Sequence, residues 1–549
     1  MNRGRHFTVV ALFVAMAVAL TARMLYLNVT ERAFLKEQGD ARSLRVETLP
    51  ANRGIIFDRN GEPLAVSTPV VSVWLDPSQT ELSPTQIARL AGAVGIDKRE
   101  LATKLDDHSG REFVYVKRRV APQVADRVAE LGIDGVHFVR EYRRYYPAAE
   151  TTAHVVGITN VDDQGQEGAE LEYDRELASV QGKKLVLKDR RGQAVKDVEY
   201  LTPPQFGHDL VLSLDLRLQF FAYRELKSAV AQNHAKSGSI VMLDAQTGEI
   251  LALANQPSFN PNDLSHVDSA AMRNRAITDL YEPGSTVKPL TVLAALESGR
   301  FSADSRVDTS PGYLRVGRKL VRDPINRGVL SLGEVLARSS QVGVTKIALS
   351  LNDRSVYDAF VRAGFADLTS CGLPGEVVGT LSARGLNDPV VRATLAYGYG
   401  LTITPLQLAQ AYLMLANDGV RLPVSILRRD AAPSGQREFD SGAVASIVKM
   451  MKGVDALHGT APKARVNGYE IAGKTGTARK VGPDGYDDQR HVAFFAGLAP
   501  ADAPRIVVVV VVNEPHGHEY GGGDVAAPVF SRVVTRAMRL LNIEPQVTS

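Results

Sequence analysis

A serine and a lysine three positions apart could supply a nucleophile and the base that activates it. Ser285 and Lys288 lie in the segment STVK, directly after Pro283 and Gly284 and before an apolar run. Side chains at positions i and i+3 share one face of a helix. A serine hydroxyl attacks only when a base takes its proton, and lysine can be that base only when burial or a nearby cation lowers its pKa. Taken alone, S-x-x-K is very common by chance.

Two further segments could supply the other groups of such a site. In KTGT (residues 474–477), glycines flank a Lys-Thr pair, which suits a strand against which another backbone lies closely. Lys474 offers a cation, which could also lower the pKa of a second lysine, and the threonine hydroxyls can bond a carboxylate. The segment SSQ (339–341) lies between the two along the chain and, by itself, is only a polar loop or a helix start.

The three segments together carry more information than any one of them. They occur in the order S-x-x-K, S-x-N, K-T-G, which is the signature of penicillin-recognising serine enzymes. The middle segment departs from it, because Gln341 stands where asparagine is usual. Glutamine displaces the same amide by about one bond length, and a misplacement of ~1 Å can cost ~10²-fold in rate. Our hypothesis is that Gln341 remains functional.

The elements around these segments predict an α+β domain. Helices are predicted at 214–231, 286–297, 332–351, 390–396, 404–416 and 526–541. Pro289 is tolerated because it falls in the first turn of its helix, where N–H groups lack partners. A hairpin is predicted from 239–244 and 249–254, and strands at 492–497 and 506–512. The last strand contains six consecutive valines, which indicates burial on both faces. Strands at both ends and helices between them predict one central antiparallel sheet flanked by helices.

The N-terminus predicts a membrane anchor. Residues 7–22 carry no charge, and the stretch 7–29 is long enough to cross a bilayer if Arg23 snorkels to the far interface. Arg3 and Arg5 precede it, so the positive-inside rule puts residues 1–6 in the cytoplasm and the bulk of the chain in the periplasm. The alternative is a signal peptide cleaved after Ala17-Val18-Ala19, which would export the same bulk.

Composition excludes several other classes of protein. The 549 residues suffice for two to four domains, and 64 Lys+Arg against 61 Asp+Glu leave +3, too little to indicate nucleic acid. The single cysteine, Cys371, excludes an intrachain disulfide and a cysteine-built zinc site. The apolar periodicity of the sequence becomes stronger after Pro203-Pro204. We therefore predict a tip (1–6), an anchor (7–29), an extended α+β pedestal (30–206) and a catalytic domain (207–549).

Several stretches of the chain that are longer than the three motifs resemble a single protein family. The chain resembles the class B penicillin-binding proteins, and among them the cell-division (FtsI-type) D,D-transpeptidases, over nearly its whole length. Glu282 before Pro283 favours the division subgroup over the elongation subgroup. The stretches that carry the likeness are RGIIFDRNGEPLAVS (53–67), YPAAETTAHVVG (146–157), EGAELEYDREL (167–177), GSIVMLDAQTGEILALANQPSFNPN (238–262), RNRAITDLYEPGSTVKP (273–289), YGYGLTITPLQLAQAY (397–412) and AGKTGTARK (472–480).

The resemblance implies a role for each motif residue in cross-linking peptidoglycan stem peptides that end in D-Ala–D-Ala. Ser285 would be the acylated nucleophile, Lys288 its base and Ser339 a proton relay. The backbone N–H groups of Ser285 and Thr477 would form the oxyanion hole. The residues implied in substrate binding are Gln341, Lys474, Thr475, Gly476 and Thr477. β-Lactams would acylate the same serine, no cofactor or metal is expected, and a membrane glycosyltransferase with other division proteins would be the partners.

The sequence leaves two other functions open. The first is hydrolysis, as a D,D-carboxypeptidase or β-lactam-hydrolysing relative, for which no dedicated carboxylate base is evident. The second is a non-catalytic division scaffold or β-lactam sensor, which should have lost one of the motif residues or gained membrane passes. His516 and His518 could bind a metal but have no obvious third ligand. The sequence leaves open the acceptor amine, the activating partner, the oligomeric state and whether this is the main division enzyme or a paralogue.

Overall fold

The computed structural model describes residues 3–78, 80–188, 194–456, 459–483, 485–517 and 519–546. His518 and part of the predicted tip lie outside these ranges. The chain forms two compact units that interleave along the sequence. The first comprises 1–53, 69–142 and 178–207, and the second comprises 54–68, 143–177 and 208–549. The second unit thus includes two stretches that the sequence assigned to the pedestal, and the predicted boundaries after residues 6, 29 and 206 stay predictions.

Helices and strands occur in both units. The helices are α1 (Arg3–Val29), α2 (Arg32–Ser43), α3 (Pro84–Val94), α4 (Lys98–Asp106), α5 (Pro122–Glu130), α6 (Ala153–Val156), α7 (Gly168–Glu172), α8 (Asp174–Leu177), α9 (Leu216–Gln232), α10 (Ser269–Met272), α11 (Arg275–Thr278), α12 (Lys288–Glu297), α13 (Leu332–Ala337), α14 (Gln341–Ser350), α15 (Ser355–Arg362), α16 (Pro389–Ala396), α17 (Pro405–Ala416), α18 (Ser441–Met451) and α19 (Gly522–Leu540). The strands are β1 (Leu44–Leu49), β2 (Ile56–Phe57), β3 (Pro63–Leu75), β4 (Val114–Val120), β5 (Val136–Tyr145), β6 (Gly182–Lys188), β7 (Ala194–Thr202), β8 (Leu210–Val211), β9 (Ser237–Asp244), β10 (Ile250–Gln256), β11 (Arg306–Asp308), β12 (Tyr313–Val316), β13 (Lys319–Arg322), β14 (Val329–Ser331), β15 (Val420–Arg421), β16 (Gln436–Arg437), β17 (Ala472–Gly482), β18 (Gly485–Ala499) and β19 (Ile506–Asn513).

The central sheet of the second unit has five antiparallel strands in the order β10-β9-β19-β18-β17. The valine-rich strand β19 lies in the middle, and its residues alternate between two cores because successive side chains point to opposite faces. Val507, Val509 and Val511 face a core that includes residues of α12 and α17. The alternate valines face a core built with α9 and α19. The predicted α+β architecture, with a central antiparallel sheet between layers of helices, is confirmed.

The first unit contains the N-terminal helix and a smaller α+β assembly. Among the described residues, α1 is the one helix whose length and composition would allow it to cross a membrane. Strands β1, β6 and β7 form an antiparallel three-stranded sheet. Helices α3, α4 and α5 pack with β4 around a separate apolar core. Ser83 and Gln86 form a capping box at the start of α3, which fixes where that helix begins.

The prediction of one helix over 332–351 is wrong. Helix α13 ends at Ala337, and α14 begins at Gln341. Between them Ser339 adopts a left-handed backbone conformation, with φ of +54°, which non-glycine residues adopt at a cost. Ser340 then caps α14 by accepting a hydrogen bond from the Gly343 N–H at 2.9 Å. The break turns the SSQ segment into a corner, at which Ser339 lies against Lys288.

Candidate active site

Ser285 lies in a 3₁₀ turn (Gly284–Val287) that leads into α12. Pro289 has no N–H, so it cannot donate to the Ser285 carbonyl as an α-helix would require. The Lys288 N–H donates to that carbonyl instead. The tighter turn therefore follows from the proline, and it places Ser285 at the tip of the helix, where its side chain is half-buried.

The neighbouring backbone holds this turn from two sides. The Gly284 N–H donates to the Gly398 carbonyl at 3.0 Å, and a Cβ at position 398 would lie 2.0 Å from the Gly284 oxygen. Gly398 also has φ of +87°, so both the space and the conformation require glycine. The hydroxyl of buried Tyr412 donates to the Thr286 carbonyl at 2.8 Å. Neither contact was evident in the sequence motifs.

Lys288 is fully buried and points at the SSQ corner. Its Nζ donates to the Ser339 carbonyl at 2.6 Å and lies 3.1 Å from Ser339 Oγ. Burial, which disfavours the charged amine, lowers the pKa of Lys288 to about 7, although the negative charge of Asp323 opposes the shift. A lysine with this pKa can exchange a proton near neutral pH.

Asp323 fixes the SSQ corner. It follows β13, and only 8% of it is exposed. Its carboxylate accepts hydrogen bonds from the N–H of Gln341 at 2.6 Å, from the N–H of Val342 at 3.2 Å and from the Ser340 hydroxyl. A carboxylate at a helix N-terminus satisfies free N–H groups and complements the helix dipole. Nothing in the sequence motifs indicated Asp323, because the contact joins two separate segments.

The KTGT segment lies on β17, an edge strand of the sheet. A Cβ on Gly476 would lie 2.8 Å from Thr286 Cγ2 and 3.0 Å from the Pro283 oxygen, so only glycine lets the strand approach the Ser285 turn. A Cβ on Gly284 would lie 3.5 Å from the Thr477 oxygen, so the Thr477 carbonyl faces that turn. Since N–H and C=O of one residue point to the same side of an antiparallel strand, the Thr477 N–H does too.

Lys474 is the second buried amine. Its Nζ lies 3.1 Å from the Thr475 carbonyl oxygen, and 1% of the residue is exposed. Burial lowers the pKa of Lys474 well below its usual value, and the charge of Lys288 lowers it further. The hydroxyl of Thr475 donates to that of Thr460 at 2.8 Å, and the Thr477 hydroxyl accepts the Gly522 N–H at 3.0 Å.

Gln341 lines a cavity of about 280 Å³ beside the SSQ corner. Three cationic side chains, Lys319, Arg322 and Arg479, line the same cavity. Its aromatic wall is a chain of packed tyrosines, with ring centroids 5.7 and 5.2 Å apart. The tyrosines of this wall are Tyr397, Tyr399 and Tyr486. The longer stem of glutamine is thus accommodated, because Gln341 borders this open space.

The structure brings the three motifs together but leaves the Ser285 hydroxyl unbonded. Within the described residues, Ser285 Oγ makes no hydrogen bond, whereas Lys288 bonds Ser339. Catalytic hydrogen bonds are often long in an empty site and tighten when substrate binds. In the same described ranges, no three His, Cys, Asp or Glu side chains are grouped to hold a metal ion. Cys371 is buried and unpaired.

Comparisons with known proteins agree with this fold. Residues 238–535 match the penicillin binding protein transpeptidase domain, and residues 48–212 match the penicillin-binding protein dimerisation domain. The chain belongs to the class B penicillin-binding proteins. It is 43% identical, over 96% of its length and 90% of the relative's, to the peptidoglycan D,D-transpeptidase FtsI of Escherichia coli K12.

Solved structures show the same architecture. The aztreonam complex of penicillin-binding protein 3 from Mycobacterium tuberculosis superposes with a TM-score of 0.69 at 27% identity, covering 91% of this chain and 98% of that one. The transpeptidase domain of Burkholderia pseudomallei penicillin-binding protein 3 has a TM-score of 0.56 at 37% identity, covering 61% of this chain and 98% of that one. The resemblance inferred from the motifs is therefore confirmed at the level of the family.

Proposed function

We propose that this protein is a membrane-anchored peptidoglycan D,D-transpeptidase of septal wall synthesis, which works through an acyl-enzyme on Ser285 and is inhibited by β-lactams. The observation that carries the proposal is the buried Lys288 amine. It lies one helical turn after Ser285, bonds Ser339, and has its pKa lowered to about 7. The relatives named as D,D-transpeptidases support the substrate class.

Acylation would use Lys288 and Ser339 as a proton path. Ser285 Oγ attacks the carbonyl carbon between the two terminal D-alanines, and its proton passes to neutral Lys288. The Oγ–C bond forms as the C–N bond to the last D-alanine breaks. The proton returns through Ser339 Oγ, 3.1 Å from Lys288 Nζ, to the departing nitrogen. An amine from a neighbouring stem then attacks the ester by the reverse path and forms the cross-link.

Backbone and side-chain donors around the serine would hold the substrate. The N–H groups of Ser285 and Thr477 would stabilise the oxyanion, since Thr477 turns its backbone groups to the Ser285 turn. Lys474, with the hydroxyls of Thr475 and Thr477, would bind the terminal carboxylate. Gly476 would let the substrate and the turn approach the strand, and the Gln341 amide would bond the substrate amide from the cavity side.

The proposal also includes the membrane topology of the chain and its partner proteins. Helix α1 would cross the inner membrane once, with residues 1–6 in the cytoplasm and the bulk of the chain in the periplasm. A membrane glycosyltransferase and other division proteins would be the partners, by resemblance to the division enzymes. Protease added to intact spheroplasts should degrade the domain but spare a tag fused to residue 1. Protection of the domain would contradict this topology.

Covalent labelling tests the acyl-enzyme. The full chain in detergent, incubated with fluorescent penicillin, should become labelled, and Ser285→Ala should abolish the label. Ser302→Ala serves as the matched control, because Ser302 is an exposed serine beyond the other end of α12. Absence of label on the native chain would refute both a transpeptidase and a hydrolase.

Product analysis separates transfer from hydrolysis. With a stem-peptide thioester as donor and a D-amino acid as acceptor, a transpeptidase forms the exchanged product at the expense of the free acid. A carboxypeptidase would release only the acid, whatever the acceptor concentration. A scaffold would form neither product. Exchange that rises with acceptor concentration and disappears in Ser285→Ala is the expected result.

A further inference from the structure

Helix α19 carries three arginines on one face, far from the motif residues in the sequence. Arg532, Arg536 and Arg539 are spaced at i, i+4 and i+7, which places them along a single stripe. All three are exposed. Like charges at this spacing repel one another along a helix. The stripe is notable because the chain as a whole has a net charge of only +3.

The carboxylates near the stripe do not neutralise it. Glu225 on α9 is shared, bonding Arg532 at 2.6 Å and Arg224 at 2.9 Å. Arg536 and Arg539 have no carboxylate within 4 Å among the described residues. Instead the guanidinium carbons of Arg224 and Arg536 lie 4.7 and 4.5 Å from the ring centre of Phe221. The two guanidinium groups are thus held on an aromatic surface, which reduces the entropy lost when they bind a ligand.

These side chains line a groove along α19, here called the arginine groove, whose cationic members are Arg224, Arg465, Arg532, Arg536 and Arg539. It comprises a cavity of about 500 Å³ between α9 and α19 and an adjoining cavity of about 660 Å³ between α19 and the segments 465–469 and 542–545. The two cavities share Ser531, Thr535 and Arg539. The second cavity adds partly exposed Ile543 and exposed Pro545, together with one exposed carboxylate, that of Glu544. Phe220, 47% exposed, belongs to the same helix α9.

The arginine groove is separate from the active site. Helices α9 and α19 pack on the sheet face of Val508, Val510 and Val512. Helix α12, which carries Lys288, packs in the core of the opposite face. A ligand in the groove therefore cannot be the substrate carboxylate that Lys474 is proposed to bind.

We propose that the arginine groove docks an extended acidic segment of a partner protein, with carboxylates at alternate positions and apolar side chains between them. The arginines are spaced along the helix by about 6 and 4.5 Å, from the rise of 1.5 Å per residue. Carboxylates two residues apart on an extended chain recur at about 6.6 Å. A compact dianion such as phosphate fits less well, because the guanidinium groups form a row and Glu225 lies among them.

Fluorescence anisotropy with a defined peptide tests the proposal. The probe is a fluorescein-labelled nonapeptide with glutamate at every second position and leucine or serine between. The full chain in nonionic detergent should bind it at low salt, and at least tenfold more tightly than the glutamine counterpart. Affinity should fall as salt rises. The double variant Arg536→Gln/Arg539→Gln should weaken binding tenfold or more.

Matched controls make each outcome decisive. Arg89→Gln/Arg384→Gln removes the same charge from exposed arginines elsewhere and should leave binding unchanged. Penicillin labelling of every variant should equal that of the native chain, which shows that the domain is folded and keeps this test separate from the proposed function. Equal binding of the glutamine peptide, or no loss in the groove variant, would overturn the proposal. So would groove-dependent sedimentation with uncross-linked peptidoglycan in the absence of peptide binding, since the ligand would then be the wall polymer.

Discussion

Replacing Asp323 by asparagine separates two effects of one carboxylate. Asp323 accepts the N–H groups of Gln341 and Val342 and the hydroxyl of Ser340. Asparagine keeps the shape of the side chain but loses its negative charge. Its NH₂ group is a hydrogen-bond donor, and it would replace an oxygen that now accepts a hydrogen bond. Hydrogen bonds to charged groups contribute about 1.5–3 kcal/mol each, against about 0.5–1.5 kcal/mol for neutral ones. We therefore expect Asp323→Asn to lower the free energy of unfolding by about 2–3 kcal/mol.

The same substitution should change acylation in two measurable ways. The SSQ corner loosens, so the maximal rate should fall about tenfold to a hundredfold. The Asp323 charge also raises the pKa of Lys288 against the effect of burial. Without that charge the pKa falls below about 7, so neutral Lys288 is available at lower pH. The midpoint of the rate against pH should therefore move to lower pH while the plateau drops.

Stopped-flow acylation by a fluorescent penicillin between pH 5 and 9 measures both quantities. Asp304→Asn, at an exposed aspartate, is the control and should change neither. A lower plateau rate with an unchanged midpoint pH would show that the charge of Asp323 does not affect the pKa of Lys288. A midpoint that moves to higher pH would refute the role of Lys288 as the base.

Three further predictions concern the motif residues. Gly476→Ala places a Cβ 2.8 Å from Thr286 Cγ2, so penicillin acylation should slow at least a hundredfold and stability should fall by about 1–3 kcal/mol, measured by stopped-flow and denaturant unfolding. A near-native rate would show that the strand and the turn can separate without cost. Lys288 has a pKa of about 7 when folded and about 10.4 when unfolded, so between pH 8 and 10 this lysine binds one more proton in the unfolded chain and makes stability rise with pH by about 1.4 kcal/mol per unit, beside the contribution of Lys474, whose pKa is also lowered. Lys288→Met should reduce the slope of unfolding free energy against pH by the Lys288 contribution, and an unchanged slope would contradict the lowered pKa of Lys288. Gln341→Asn should change the acylation rate less than tenfold, whereas a gain of a hundredfold or more would mean that the native glutamine is a defect.

Local pattern was enough to predict the sheet, because its strands carry their own signal. The valines of β19 could only be a strand buried on both faces, and the hairpin of β9 and β10 was predicted to within three residues at each end. The break between α13 and α14 escaped prediction for a physical reason. Residues 332–351 have continuous apolar periodicity, and the interruption at Ser339 is stabilised by Asp323, which lies outside that window.

The candidate site, too, was predicted from the sequence only in part. Motif order predicted which segments should meet, and the glycine in KTGT predicted a close backbone approach, which Gly476 makes to Thr286. Gly398 and Tyr412, which hold the turn, lie in a stretch that carried the family likeness (397–412), but no role could be assigned to them from the sequence, because their contacts depend on folding across more than one element. The tyrosine wall beside Gln341 was also missed, since Tyr486 comes from a segment remote from Tyr397 and Tyr399.

The central position of β19 has a consequence for how the domain is made. Asn513 bonds Ser237 across 276 residues of chain, so β9 is synthesised long before the strand that must lie beside it. Until residues 506–513 emerge, β9 presents an open, apolar edge of the kind that joins other chains. A chain that stops before β19 would leave β9 and β18 without their shared neighbour. Premature termination near the C-terminus should therefore yield insoluble protein, not a weakened enzyme.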